Sequence, residues 1–372
     1  MKRLFDRESI ATLPLSERVS KLEIDRDAVD PAAWPISLSR EAQEDVALAA
    51  AEIRQSRARG APVILAFGAH AIKNGLSRTL IRLMEGGHVT HFATNGAGII
   101  HDWEFAFQGS TGEDVRRYVS EGQFGIWEET GAWLNLSLAV GAWRGLGYGE
   151  AVGTMVLDEG LTIPGDDELV AAIRAGAEEG AGILALSQAA AASDLRAILR
   201  KAGLEPGFLR IDHPRKKDSF AAAAVKNAVP FTCHPMFGHD IIYTHPLNRG
   251  AVIGRTAETD FLSFADSVSG LEGGVYLSVG SAVMSPMIFE KALSMARNKA
   301  RQDGKSIEHF SLHVVDLAVS TWDWKARGEP PQDNPAYFLR YCKTFSRMGG
   351  TMTYASADNR SWLVALLRSL ES

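Results

Sequence analysis

The chain has 372 residues, 46% hydrophobic and 23% charged, enough for one large domain or two modest ones with a sizeable core. A net charge of −6, spread along the chain, argues against nucleic-acid or anionic-membrane partners, since both call for a basic face. Cys233 and Cys342 are too few for a disulfide framework, no run approaches the ~18 apolar residues of a membrane span, and MKRLFDRESIATLPLSERVS lacks a signal peptide's apolar segment. A cytoplasmic protein is the expectation.

Residues 1–40 read as an irregular arm, with turn signals at Asp30–Pro31 and Trp34–Pro35. A helix opens near Ser39 and its amphipathic spacing ends at Gly60. PVILAF (62–67) is a short, continuously apolar run closed by glycine, which predicts a buried strand. LSRTLIRLME (76–85) is helical and stops at Gly86–Gly87; HVTHFATN (88–95) is a second strand, with a helix expected after it. The middle, 112–227, carries mostly helical periodicity. Strand signals return at 229–233, 273–280, 309–319 and 351–356, and GEPPQDNP (328–335) is a long loop. Strands alternating with helices predict an α/β fold: a Rossmann-like parallel sheet flanked by helices, with a helical insertion, in one domain spanning 1–372.

Ligands of such sheets bind at the carboxyl ends of the strands. Four stretches should meet there: FGAHAIKNG (67–75), TNGAGIIHD (94–102), HPMFGHD (234–240) and VGSAVMSP (279–286). Each sets small residues after a strand, where backbone can approach an anion such as a pyrophosphate. None is a full G-x-G-x-x-G, and Gly96-Ala97-Gly98 reads equally as a packing turn. His234, His239 and His245 fall close together, but no H-E-x-x-H appears, and hydrogen-bonding histidines are preferred to a metal site. Lys343, in PAYFLRYCKTF (335–345), is either a desolvated amine nucleophile or a lysine whose stem packs while its ammonium reaches water.

The segment AHAIKNGLSRTLIRLMEGGHVTHFATNGAGIIHD (69–102) resembles, without a gap, the first nucleotide-binding unit of deoxyhypusine synthase. PFTCHPMFGHDIIYTHP (230–246), GGVYLSVGSAVMSP (273–286), PAYFLRYCK (335–343) and MTYASAD (352–358) are similar to later blocks of that family, in order. The resemblance implies NAD as cofactor, contacted at Ala69, His70, Asn95, Gly96, Ala97, Gly280, Ser281, Ala282, Ala318 and Ala355. It puts Lys343 at the family's catalytic lysine and a histidine, His101, where relatives keep an acid. It implies a homotetramer with a small-molecule substrate.

The pocket departs from the family. His234 and His239 replace two aspartates, and Tyr337 and Tyr341 replace a glutamate and a tryptophan. Lost carboxylates remove the Coulombic reason to bind a polycation, so the substrate expected against His234, Asp240, Tyr337 and Tyr341 is not a polyamine. Ser356 replaces a ribose-side aspartate, for which Asp358 is the nearest substitute. The leading expectation is an NAD-dependent, deoxyhypusine synthase-like transferase acting through an imine, with Lys343 attacking it and His239 or His101 as general base. His101-Asp102-Trp103-Glu104 also matches the H-D-x-E pattern of archaeal-type NAD-dependent amino-acid cyclodeaminases. A lyase of that kind is the alternative, and a non-catalytic nucleotide-binding protein is the third.

Overall fold

A computed structural model describes residues 3–372. The chain divides into two compact units rather than one. One comprises Asp25–Gly98, Lys226–His234 and Phe261–Ser372; the other comprises the residues up to Ile24, Ile99–Val225 and Pro235–Asp260.

The first of these holds a six-stranded sheet of β1 (Val63–Phe67), β2 (His91–Thr94), β3 (Phe231–Cys233), β4 (Val275–Val279), β5 (Ser311–Asp316) and β6 (Thr351–Ser356). All neighbours run parallel, in the order β6-β5-β4-β1-β2-β3. Val63 pairs with Val275, Ile64 with His91, and Phe92 with Phe231. Sheets covered on both faces need strands apolar on both faces, and VILAF is buried at every position.

Helix Arg40–Ala58 begins where Ser39 Oγ accepts from the Ala42 amide at 3.2 Å, as an N-cap serine should. Helix Asn359–Glu371 is capped by Asp358, whose carboxylate accepts from Ser361 N at 3.1 Å. Behind β4, Tyr276 stacks on Phe289 with ring centroids 4.2 Å apart, and Phe345 closes the group. Each such ring, fully buried, contributes roughly 1.5–3 kcal/mol.

The second unit is mainly helical, with Glu128–Arg144, Tyr148–Asp158, Asp166–Ala177 and Ile183–Ala202 as its longest ordered stretches after Ile99–Gln108. Glu128–Arg144 stops at Gly145, whose φ of 76° lets the chain turn left-handed at the helix end. Two antiparallel strands, Gly160–Ile163 and Gly207–Arg210, lie inside the segment read as helical. Both are four residues long and open on glycine, and Gly207–Arg210 is largely exposed, so they carry little strand signal.

Candidate functional site

Numbered along the chain, the sheet order is 3-2-1-4-5-6, the order of dinucleotide-binding sheets. The chain builds outward from β1 to β3, returns to β4 beside β1, and builds the other way. At that reversal the loops leaving β1 and β4 diverge, which opens a crevice at the carboxyl ends.

Gly68 follows β1 and Gly280 follows β4. Their amides donate to Val279 O at 3.1 Å and to Val315 O at 2.8 Å. A Cβ on Gly68 would lie 2.1 Å from Gly280 O, so only glycine fits without moving backbone. Gly280 has φ +58°, and a Cβ there would lie 2.3 Å from Asn359 Nδ2. The Asn359 Oδ1 atom beside it is buried and has no hydrogen-bond partner among the described residues. Backbone-only walls with an unmet acceptor are what a closely approaching polar ligand requires.

Around this crevice the predicted cofactor positions divide by task. Ala69 is half-buried and His70 exposed on helix Ala69–Lys73. Ser281 Oγ accepts from Ser285 N at 3.2 Å, and Ala282 is exposed. After β2, Asn95 Oδ1 accepts from Gly98 N at 3.0 Å, so this side chain caps helix Gly96–Gln108. Gly96 is buried and Ala97 half-buried in its first turn. A Cβ on Gly98 would meet Thr94 Oγ1 at 2.3 Å, and that hydroxyl donates to Phe67 O at 3.0 Å. The packing-turn explanation therefore accounts for Gly98.

At the ends of β5 and β6 a second group forms. Ala355 is buried in β6, and Ala318 O accepts from the Tyr354 hydroxyl, which lies 3.2 Å from that of Tyr341. Burial pushes the Tyr341 phenol up to about 12, so it stays protonated. Tyr341 shares the short helix Arg340–Ser346 with Lys343, whose ammonium lies 3.6 Å from the centre of the Tyr337 ring. Tyr354 and Asn359 were missed by sequence reasoning; a tyrosine in a strand and an asparagine at a helix start carry no motif.

His234 sits just after β3, buried, with Nε2 3.0 Å from Thr232 Oγ1 and its ring edge-on to Phe264. Thr232 Oγ1 also meets His91 Nε2 at 3.0 Å, and Ser267 Oγ holds His91 Nδ1 at 2.8 Å. Burial pushes both imidazoles down to about 3, so they are neutral polar struts in the sheet's covering layer.

His101, His239 and Asp240 belong to the mainly helical unit. His239 is exposed in a turn where its amide bonds Met236 O at 3.1 Å. Asp240 accepts from the Tyr243 hydroxyl at 3.3 Å. The H-D-x-E stretch is built as follows. Asp102 is buried and accepts from Ser219 Oγ at 2.6 Å, Phe220 N at 2.7 Å and Ala221 N at 3.1 Å. Burial outweighs those bonds and pushes its carboxyl up to about 6.

Glu104 takes both arms of the Arg18 guanidinium, at 2.7 and 2.8 Å, and Thr130 Oγ1 at 3.0 Å. Burial alone would raise the Glu104 carboxyl, but Arg18 holds it below the usual range. Thr111 gives its one hydroxyl proton to Glu104, so His101 Nδ1, 2.8 Å away, must be the donor to Thr111. His245 Nε2 lies 3.4 Å from Glu128, and among the described residues no three of His, Cys, Asp and Glu gather as a metal-binding group. Among them, also, no helix is long and apolar enough to cross a membrane.

No family model and no curated protein matches the chain. Among solved structures, unliganded AgrE is similar over 91% of this chain and 34% of its own, at 16% identity and a TM-score of 0.43. A ternary complex of AgrE with ornithine and NAD+ gives 15% identity over 91% and 34%, at 0.42. A LOR/SDH protein from Methanococcus maripaludis S2 gives 12% identity over 93% and 74%, also at 0.42. The chain spans about a third of the length of AgrE. Likenesses this distant leave function to the chain's own geometry.

Proposed function

We propose that the sheet unit binds NAD across the crevice between Gly68 and Gly280, and that the protein is an NAD-dependent deaminase or cyclodeaminase of a small amino acid. The observation that supports it is the strand-order reversal between β1 and β4, beside which the buried Asn359 Oδ1 has no hydrogen-bond partner among the described residues. Bound NAD would supply reversible hydride acceptance: the amine-bearing carbon would be oxidised to an imine, a second amine of the same substrate would add to that carbon and displace ammonia, and the cyclic imine so formed would take the hydride back. The buried Asn359 Oδ1 is an acceptor waiting for a donor, as a ligand hydroxyl or amide would supply.

An amino acid fits better than a bare amine because of Lys343. Its ammonium rests on the Tyr337 ring face, a contact worth about 0.5–2 kcal/mol, which preorganises a cation to hold a substrate carboxylate. Tyr341 and Tyr354 offer neutral hydroxyls next to it. In this reading Lys343 binds and does not attack. Aminoalkyl transfer through Lys343 calls instead for an amine desolvated among apolar groups.

The test is titration with NAD, followed by an amino-acid panel headed by ornithine and arginine, scoring ammonia against net NADH. Ammonia without accumulating NADH is expected. Lys343→Ala should raise KM about tenfold or more, the loss of one charge-assisted contact, while changing kcat little. A borohydride-trapped adduct on Lys343 would establish the transfer reading instead. NAD bound tightly with no turnover on the panel would leave a nucleotide-binding protein, and no NAD binding would end the proposal.

A further inference from the structure

At the other edge of the same sheet, before β5 and β6 begin, lies a cleft of ≈ 480 Å³. Its walls are the end of helix Met284–Gln302, the turn 306–309 and the turn 347–350. Three guanidinium groups line it: Arg297, Arg301 and Arg347. A neighbouring cleft of ≈ 320 Å³ is lined by the same three. Against them in the larger cleft stands one carboxylate, Glu308, so its lining is cationic in a chain whose net charge is −6.

Two of the three arginines, Arg297 and Arg301, are not neutralised by an ion pair among the described residues. Arg297 is braced by Nε donating to Ile307 O at 2.9 Å, with its guanidinium 6.0 Å from the centre of the Phe310 ring. A Cβ on Gly349 would come within 3.1 Å of Arg297 Nη2, so the bare backbone there lets the guanidinium lie close. Neither Arg297 nor Arg301 has an ion-pair partner among the described residues. Arg347 alone is paired, with Nε 2.8 Å from Glu329 Oε2. Gly349 and Gly350, at φ +79° and +70°, wall the same cleft with peptide groups that no side chain covers.

Like charges gathered without counter-charges cost energy unless an anion joins them, and planar guanidinium forks match phosphate and carboxylate oxygens. We infer that this cleft binds a small polyanion, a diphosphate or polycarboxylate, at a site separate from the Gly68–Gly280 crevice. The strands between the two edges are five and six residues long, which separates them by roughly 17–20 Å. One small ligand cannot occupy both, so the cleft is a site of its own rather than part of the substrate pocket. This inference does not depend on the identity of the cofactor.

The experiment is calorimetric titration of the full chain with inorganic pyrophosphate in about 150 mM sodium chloride, where weak surface pairing is screened. Wild type should bind saturably at one site. Arg301→Gln, an exposed change that leaves no partner stranded, should weaken binding about tenfold, the size of one charge-assisted contact. Glu308→Gln removes the opposing carboxylate and should tighten binding roughly threefold. Failure of wild type to bind, or equal affinity in wild type and Arg301→Gln, overturns the inference. Citrate in place of pyrophosphate reports whether phosphate or carboxylate is preferred.

Discussion

The pair Gly68–Gly280 and the stretch His101–Glu104 both read as chemistry in the sequence, and the fold uses them in opposite ways. At the glycines the fold leaves no room for a side chain and leaves Asn359 Oδ1 unmet beside them. At Asp102 and Glu104 it surrounds each carboxylate with donors until nothing remains unsatisfied for a substrate: Ser219 and two amides for one, Arg18, Thr111 and Thr130 for the other. Acidic motifs announce reactivity by composition, but reactivity requires unspent hydrogen-bonding capacity. Asn359 Oδ1, beside the quieter glycines, has it and the louder acids do not.

The largest effect should come from breaking the spent site. Glu104→Ala strands the Arg18 guanidinium, whose side chain is 1% exposed, and removal of one partner from a buried pair costs about 3–5 kcal/mol. Chemical denaturation should show that loss, and a loss under 1 kcal/mol would mean Glu104 is not the anchor described. Gly68→Ala comes next. Its new Cβ collides with backbone, costing about 1–3 kcal/mol, and the distorted crevice should weaken NAD binding about tenfold or more in calorimetry. Unchanged NAD affinity in a folded Gly68→Ala protein would remove the crevice from the cofactor site.

All six strands were legible as short runs bounded by small or polar residues, most plainly β1, β2 and β4, which the sheet buries at every position. Their order was not legible, since register between β1 and β4 depends on contacts more than 200 residues apart in the chain. The resemblance placed NAD-contact positions on Gly280 and Ala69 but skipped Gly68 itself, whose necessity is visible only once Gly280 O stands above it. Arg18 sat in an arm read as irregular, 86 residues from Glu104, with no pattern to join them. The helical unit is assembled from three separated segments, a grouping that no run of sequence marks. Among the clustered histidines, for which hydrogen bonding was preferred to metal binding, His234 has Thr232 and Phe264 as its neighbours in space.

A third prediction sets one buried ion cluster against another. In the sheet unit His313 is buried, with Nδ1 3.0 Å from Asp45 and Nε2 2.7 Å from Glu52. Burial opposes its charge, yet the two carboxylates raise it from an ordinary 6.5 to about 9. A pKa raised on folding stabilises fully below 6.5, and that contribution is lost as pH climbs through about 9. Thermal unfolding followed from pH 6 to 10 should show the sheet unit's Tm falling over that window, with the slope flattened by His313→Gln. The Arg18–Glu104 pair gives no such slope, because a guanidinium keeps its proton. A wild-type slope that survives in His313→Gln would assign the titration elsewhere.

The smallest structural effect is the most telling for chemistry. His239 is exposed, and its turn is held by backbone, so His239→Ala should change stability by no more than about 0.5 kcal/mol. His101→Ala is different: it deletes the Nδ1 donor to Thr111 beside the Glu104 cluster and should cost about 1 kcal/mol. If His239 moves the proton, its alanine variant loses kcat while Tm holds. If His101 does, kcat and Tm fall together in its variant, and His101→Gln, which keeps a donor, restores Tm without restoring kcat. Full turnover in both variants would take the proton away from either imidazole and leave the phenols of Tyr341 and Tyr354 to be tested next.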